Sequence, residues 1–111
     1  MAAIQSMSAL AQPTRLTVFT TLAQHPGGLQ VGELAKLVDT PANTMSTHLS
    51  ILARAGVVLA ARAGRVVTYT VAPEAVRDLA IFLIGQCAGG REKLSADLVD
   101  RLDNACMQRQ D

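Results

Sequence analysis

The sequence predicts a mainly α chain carrying a single β-hairpin, an α+β fold in one domain, and three observations lead there. Apolar residues recur at helical spacing through most of its 111 residues. One stretch, residues 57–71, breaks that rhythm with β-branched residues on both sides of a glycine. Just before it, "DTPANTM" joins two short helical patterns through a connection of only a few residues.

In the first predicted helix, about residues 2–11, Ile4, Met7, Leu10 and Ala11 repeat at helical spacing. Pro13 then suits the first turn of a second helix, which Leu16, Phe19, Leu22 and Ala23 continue. "HPGG" at 25–28 is a turn, and "LQV" after it is at most a short extended piece. Val31, Leu34, Ala35 and Val38 mark the third helix. The fourth, about 41–54, should begin with Thr40 accepting from its first N–H groups and Pro41 at its first position. Two helices joined so tightly form a helix-turn-helix.

A hairpin at about 57–71 follows, its strands "VVLAAR" and "RVVTYTV" connected by Ala63 and Gly64. That placement puts Arg62 and Arg65 at the tip and makes Tyr69 a packing residue. From about 74 to 104 the chain returns to helix. Val76, Leu79, Ala80, Leu83 and Cys87 share a face, with Ile81, Phe82 and Ile84 on others. Gly89 and Gly90 interrupt before Leu94, Leu98, Leu102 and Cys106 continue. A small domain cannot hide a helix that is apolar all round, so a homodimer through the first and the C-terminal helices is expected.

The fourth helix carries the chemistry. Met45, Leu49 and Leu52 share one face as a buried stripe. Asn43, Ser46, Thr47, Ser50 and Arg54 form a contiguous strip opposite: short hydroxyl and amide groups ending in a guanidinium. Such groups reach base edges and phosphates at close range without keeping the helix out of a major groove. A solvated face rich in Ser and Thr from first-turn capping is the alternative. His48 falls at the edge of the apolar stripe, where a packed imidazole and a phosphate contact are both compatible with its position.

Charge points the same way. The formal net charge is +1, but residues 40–73 carry Arg54, Arg62 and Arg65 and no carboxylate, while residues 74–111 are net acidic. A local surface without acids suits a polyanion, and paired arginines at a hairpin tip suit backbone or minor-groove contact. A solubilising hairpin end is the alternative. The N-terminus lacks the basic and apolar regions of a secretory leader, and the longest apolar run, residues 79–85, is too short to span a membrane. A cytoplasmic protein is expected, with Cys87 and Cys106 reduced at rest.

These residues together resemble the ArsR/SmtB family of winged-helix transcriptional repressors. The resemblance rests on "LAQPTRLTVF" at 10–19, "GELAKLV" at 32–38, "STHLSILARAGVV" at 46–58 and "RAGRVVTYTV" at 62–71, in the family's order, and covers roughly residues 4–84. It implies a winged helix-turn-helix homodimer that blocks promoters and leaves double-stranded DNA when a metal ion, metalloid or oxidant binds. By position it implies that Asn43, Thr44, Ser46 and Thr47 enter the major groove, that His48 supports the interface, and that Arg62 and Arg65 form the wing contact. Ser50 and Arg54 complete the polar face.

The family's effector sites are largely missing. Where arsenic-sensing relatives carry Cys-x-Cys in the third helix, this chain has Gln30 and Gly32. Zinc-sensing relatives use Asp and His clusters, yet His25 and His48 are the only histidines. A further arsenic-sensing arrangement resembles "QCAGGREKLS" at 86–95 but keeps only Cys87, with Ala88 and Ser95 at the other places. Cys87 with Cys106 could bind As(III) or a soft metal ion weakly, bind a two-thiol methylated arsenical, or form a disulfide. A small buried hydrophobe and a terminal thiol is the other reading. Two rival functions stay open: a winged-helix dimerisation or protein-interaction module without sequence-specific DNA binding, and an enzyme with Cys87 as nucleophile. The latter lacks a histidine base in the C-terminal third.

Overall fold

The computed structural model describes residues 2–87 and 91–109, with the side chains of 3–85 and 96–105. Its elements run α1 (Ala2–Leu10), α2 (Pro13–Ala23), α3 (Val31–Leu37), α4 (Ala42–Arg54), β1 (Val58–Ala63), β2 (Val66–Val71), α5 (Pro73–Cys87) and α6 (Arg91–Arg109). The chain divides into two compact units, Met1–Asp78 and Leu79–Asp111.

In the first unit, Val18 and Leu22 of α2, Leu34 of α3, Met45, Leu49 and Leu52 of α4, and Val57 and Val58 at the root of the hairpin make one fully buried cluster. Each helix thus contributes one stripe. Gln12 caps α2, its Oε1 accepting from the Arg15 N–H at 2.8 Å, and Pro13 takes the first position as expected. Arg15 Nε donates to the Ala9 carbonyl at 2.7 Å and ties the two first helices together.

Most of the apolar stripe of α1 faces outward, as a helix expected at an interface requires, while Leu10 packs against the core. Ser6 and Ala9 are buried, whereas Ile4, Met7 and Ala11 are exposed. Small residues let α1 approach its neighbours closely, and the large apolar side chains remain on the free face.

The turn into α4 also differs from expectation. Thr40 does not cap it: its hydroxyl donates to the Val38 carbonyl at 3.2 Å, and Pro41 itself occupies the cap position. The hydroxyl is committed to ending α3. There Asp39 takes φ +52°, and the N–H groups of Asp39 and Thr40 return to the carbonyls of Lys36 and Ala35 at 3.3 and 2.9 Å. Those two bonds are the Schellman closure, with aspartate where glycine is usual.

The hairpin turn lies one residue later than expected. β1 includes Ala63, paired with Val66, so Gly64 and Arg65 form the two-residue loop. Gly64 has φ +64° and Arg65 does not have a positive φ, the sign pattern of a type II′ turn that matches strand twist. The short extended piece before α3 is a single bridge, Leu29 to Tyr69.

In the second unit, Ile81 and Leu83 on α5 and Val99 and Leu102 on α6 are exposed, while Phe82, Ile84 and Leu98 are half-buried. Residues 88–90, which include the Gly89–Gly90 interruption, lie outside the described residues. Among the described residues no helix is long and apolar enough to cross a membrane.

Candidate nucleic-acid interface

The apolar back of α4 decides which way the helix faces. Met45, Leu49 and Leu52 are each fully buried, and at helical spacing that leaves Asn43, Thr44, Ser46, Thr47, Ser50 and Arg54 exposed together. Two of these polar groups are partly engaged locally. Asn43 Oδ1 accepts from the Thr44 N–H at 2.9 Å, and Thr47 Oγ1 donates to the Asn43 carbonyl at 3.3 Å. Both bonds are solvent-exposed, so water or a base edge can replace them. His48 is half-buried, and its Nδ1 is buried without a hydrogen-bond partner among the described residues. It sits at the rim of the stripe, as its position in the helix requires.

The end of α4 hands the chain to the hairpin through a second Schellman closure. Gly56, at φ +81°, donates to the Ala53 carbonyl at 3.0 Å, and Val57 donates to the Leu52 carbonyl at 3.2 Å. Val57 and Val58 then drop into the core. Across the base of the hairpin, Ala72 donates to the Val57 carbonyl at 2.9 Å. The hairpin is therefore anchored to the end of α4 by buried side chains and backbone bonds.

Beyond that base β1 turns to solvent, while β2 stays half-buried from Val67 to Val71. From Leu59 onward β1 is exposed, and Arg62, opposite Val67, and Arg65, in the turn, are both exposed. The ion pairs among the described residues, Arg77 with Asp78 and Arg101 with Asp97, lie elsewhere. Arg54, Arg62 and Arg65 carry no carboxylate partner among the described residues, which leaves their charge available to an external anion. Sequence reasoning brought the polar face and both hairpin arginines to the surface but missed Leu29, whose pairing with Tyr69 braces the hairpin. One isolated bridge leaves no periodic signal.

The helix-turn-helix domain family matches residues 10–59. Among solved structures, an ArsR family transcriptional regulator is 29% identical, with 78% of this chain and 92% of that one covered and a TM-score of 0.69. This chain is similar in sequence and in fold to ArsR-family winged-helix regulators. The homodimeric winged helix-turn-helix DNA-binding domain Mb0332 of Mycobacterium bovis, a possible ArsR-family transcriptional regulator, is 28% identical to it, covering 77% and 78% of the two chains with a TM-score of 0.63. The transcriptional repressor BigR of Xylella fastidiosa is 26% identical, covering 77% and 86% with a TM-score of 0.58. No curated protein matches the chain. These solved relatives are transcriptional regulators, not enzymes, and one of them is a DNA-binding domain.

Two of the chain's sequence-level candidates, Cys87 and Cys106, have side chains outside the described residues. Among the described residues no group of three or more His, Cys, Asp or Glu could hold a metal ion.

Proposed function

We propose that this protein is a transcriptional repressor that binds a palindromic operator as a homodimer and is released by an effector. One observation carries the reading: the exposed strip Asn43–Ser46–Thr47–Ser50–Arg54 stands directly opposite a fully buried apolar stripe. A helix built this way presents donors and acceptors to base edges in the major groove. The wing's Arg62 and Arg65 add sequence-independent contacts to the backbone. The exposed apolar residues of α1, α5 and α6 support self-association, because a lone protomer would leave them in water. Mb0332 is homodimeric and BigR is a repressor, which agrees with both parts of the proposal. For the effector, a metalloid, a soft metal ion or an oxidant acting on Cys87 and Cys106 is one chemistry the sequence offers.

The experiment is binding to duplexes selected from a random pool, measured by fluorescence anisotropy across a salt series. Selection of a two-fold symmetric site, with affinity falling steeply as salt rises, is the expected result. Salt-independent or absent binding would instead favour a protein-interaction module. Release of the bound duplex by As(III), methylated arsenicals, Cd(II) or peroxide, abolished in Cys87→Ser, tests the thiol chemistry.

A further inference from the structure

We infer that the cleft between α1, α2 and the C-terminal half of α4 binds a small monocarboxylate with an apolar body, and that its occupancy weakens DNA binding. The cleft has a volume of about 330 Å³, at the small end of the range for ligand sites, roughly 300–1,000 Å³. Ile4, Ala9, Ile51 and Ala55 give it apolar walls, and Arg15 and Arg54 also line it. Walls of this kind take a short hydrocarbon body, and paired guanidiniums take the acidic head that such a body carries.

The two arginines are prepared differently. Arg15 is half-buried and held by its Nε bond to the Ala9 carbonyl at 2.7 Å, so its terminal N–H groups are oriented before a ligand arrives. Arg54, in the last turn of α4, is exposed and has no side-chain hydrogen bond or ion pair among the described residues. Nothing nearby in the chain offsets these charges. Residues 1–32 and 40–73 contain neither Asp nor Glu, and every residue lining the cleft comes from those stretches. The negative end of α4 is also muted, because the Ala53 and Leu52 carbonyls are taken by Gly56 and Val57. The result is a positive, half-apolar recess with no internal counter-ion among the described residues.

Arg54 connects this recess to the duplex. It ends the polar strip of the recognition helix, so a carboxylate that engages it withdraws one cation from the DNA-facing surface. By reciprocity, bound duplex must weaken the acid by the same factor. This coupling rests on the repressor reading; the recess itself does not.

Octanoate is the probe, and octanamide, of the same shape with a neutral head, is its control. Calorimetric titration of the intact protein should show saturable octanoate binding, with octanamide about tenfold weaker or more. Ser8→Phe fills the recess from α1, away from the polar strip; it should abolish octanoate binding while keeping the helical circular dichroism of the parent. Arg54→Gln, which leaves the core untouched, should weaken octanoate about tenfold in the same titration. Equal affinity for acid and amide overturns the site, as does undiminished octanoate binding by either variant. Octanoate binding that leaves duplex affinity unchanged overturns the coupling. If acid and amide are discriminated but no duplex binds, the recess stands and the repressor reading fails; if duplex binds and octanoate does not, the recess alone fails.

Discussion

Leu29 and Tyr69 exchange both backbone hydrogen bonds, at 3.0 and 2.9 Å, which pairs the residue ahead of α3 with the second strand of the wing. The pairing depends on Gly28. Its φ is +91°, and a methyl group built there would overlap Thr68 Cγ2 and lie 3.0 Å from both Thr70 Cγ2 and the Tyr69 carbonyl oxygen. Gly28→Ala should therefore destabilise the fold by at least about 2 kcal/mol, combining backbone strain with a clash that strand atoms cannot easily relieve. Urea unfolding measures this. Gly27→Ala is the control, since nothing lies within 4 Å of its added methyl and its φ is not positive; equal losses in the two variants would remove the bracing role.

The wing arginines should behave as backbone contacts. Arg62→Ala with Arg65→Ala is expected to lower affinity for all duplexes alike and to flatten the salt slope by about one unit per lost phosphate contact. Stability should change by less than about 0.5 kcal/mol, because both side chains are exposed. An unaltered salt slope would mean that the wing tip stays in solvent.

The two faces of α4 predict opposite phenotypes. Leu49→Ala removes a fully buried side chain and should cost about 2–5 kcal/mol by urea unfolding. Asn43→Ala and Thr47→Ala, both exposed, should leave stability within about 0.5 kcal/mol. Their effect belongs in the preferred duplex sequence, read by repeating the selection from a random pool. Selected sites identical to those of the parent would show that other residues read the bases.

How much of this was legible beforehand depends on how local each feature is. The stripe Met45–Leu49–Leu52 and the strip opposite it follow from helical period alone, and the structure buries and exposes them accordingly. An outward apolar face on α1 suits the interface expected of it, but which of its residues pack inward was not legible. Periodicity marks where apolar residues align, yet which face packs is settled by close approach, and there Ser6 and Ala9 go inside while Ile4 and Met7 stay out. The turn before α4 misled for a related reason. Thr40 could cap α4 or close α3, and the positive φ of Asp39 commits it to α3. Arg65 sits in the loop and not in the second strand because Ala63 pairs with Val66, a one-residue register choice that the composition of the loop left open. The acid-free recess formed by α1, α2 and α4 needed tertiary contact before Arg15 and Arg54 could be seen together.

Self-association should be controlled by the exposed apolar residues of the second unit. Ile81 is 61% exposed on α5, more than a large aliphatic residue needs on a free surface. Ile81→Glu would bury an unpaired carboxylate in any interface that covers it and should shift a dimer to monomers in sedimentation, with operator affinity falling accordingly. The isolated protomer loses no buried contact, so its circular dichroism should keep the parent's helical content. A dimer that survives the substitution would place the interface elsewhere.

Asp39 offers a test of the helix-turn-helix corner itself. It is the one non-glycine with a positive φ among the described residues, at +52°, and the closure bonds from Asp39 to Lys36 and from Thr40 to Ala35 set where α4 begins. Glycine relieves the left-handed strain but loses more entropy on folding, so Asp39→Gly should gain only about 0.5 kcal/mol. Asp39→Ala removes the same carboxylate yet keeps a side chain at positive φ, and should lose stability instead. Both variants delete the acid that precedes the acid-free stretch, so both should raise affinity for unrelated duplex slightly at low salt. The two measurements separate geometry from charge: urea midpoints should split Gly from Ala, whereas low-salt duplex affinity should move the same way in each. Matching urea midpoints would show that the αL backbone at this corner carries no strain for a glycine to relieve.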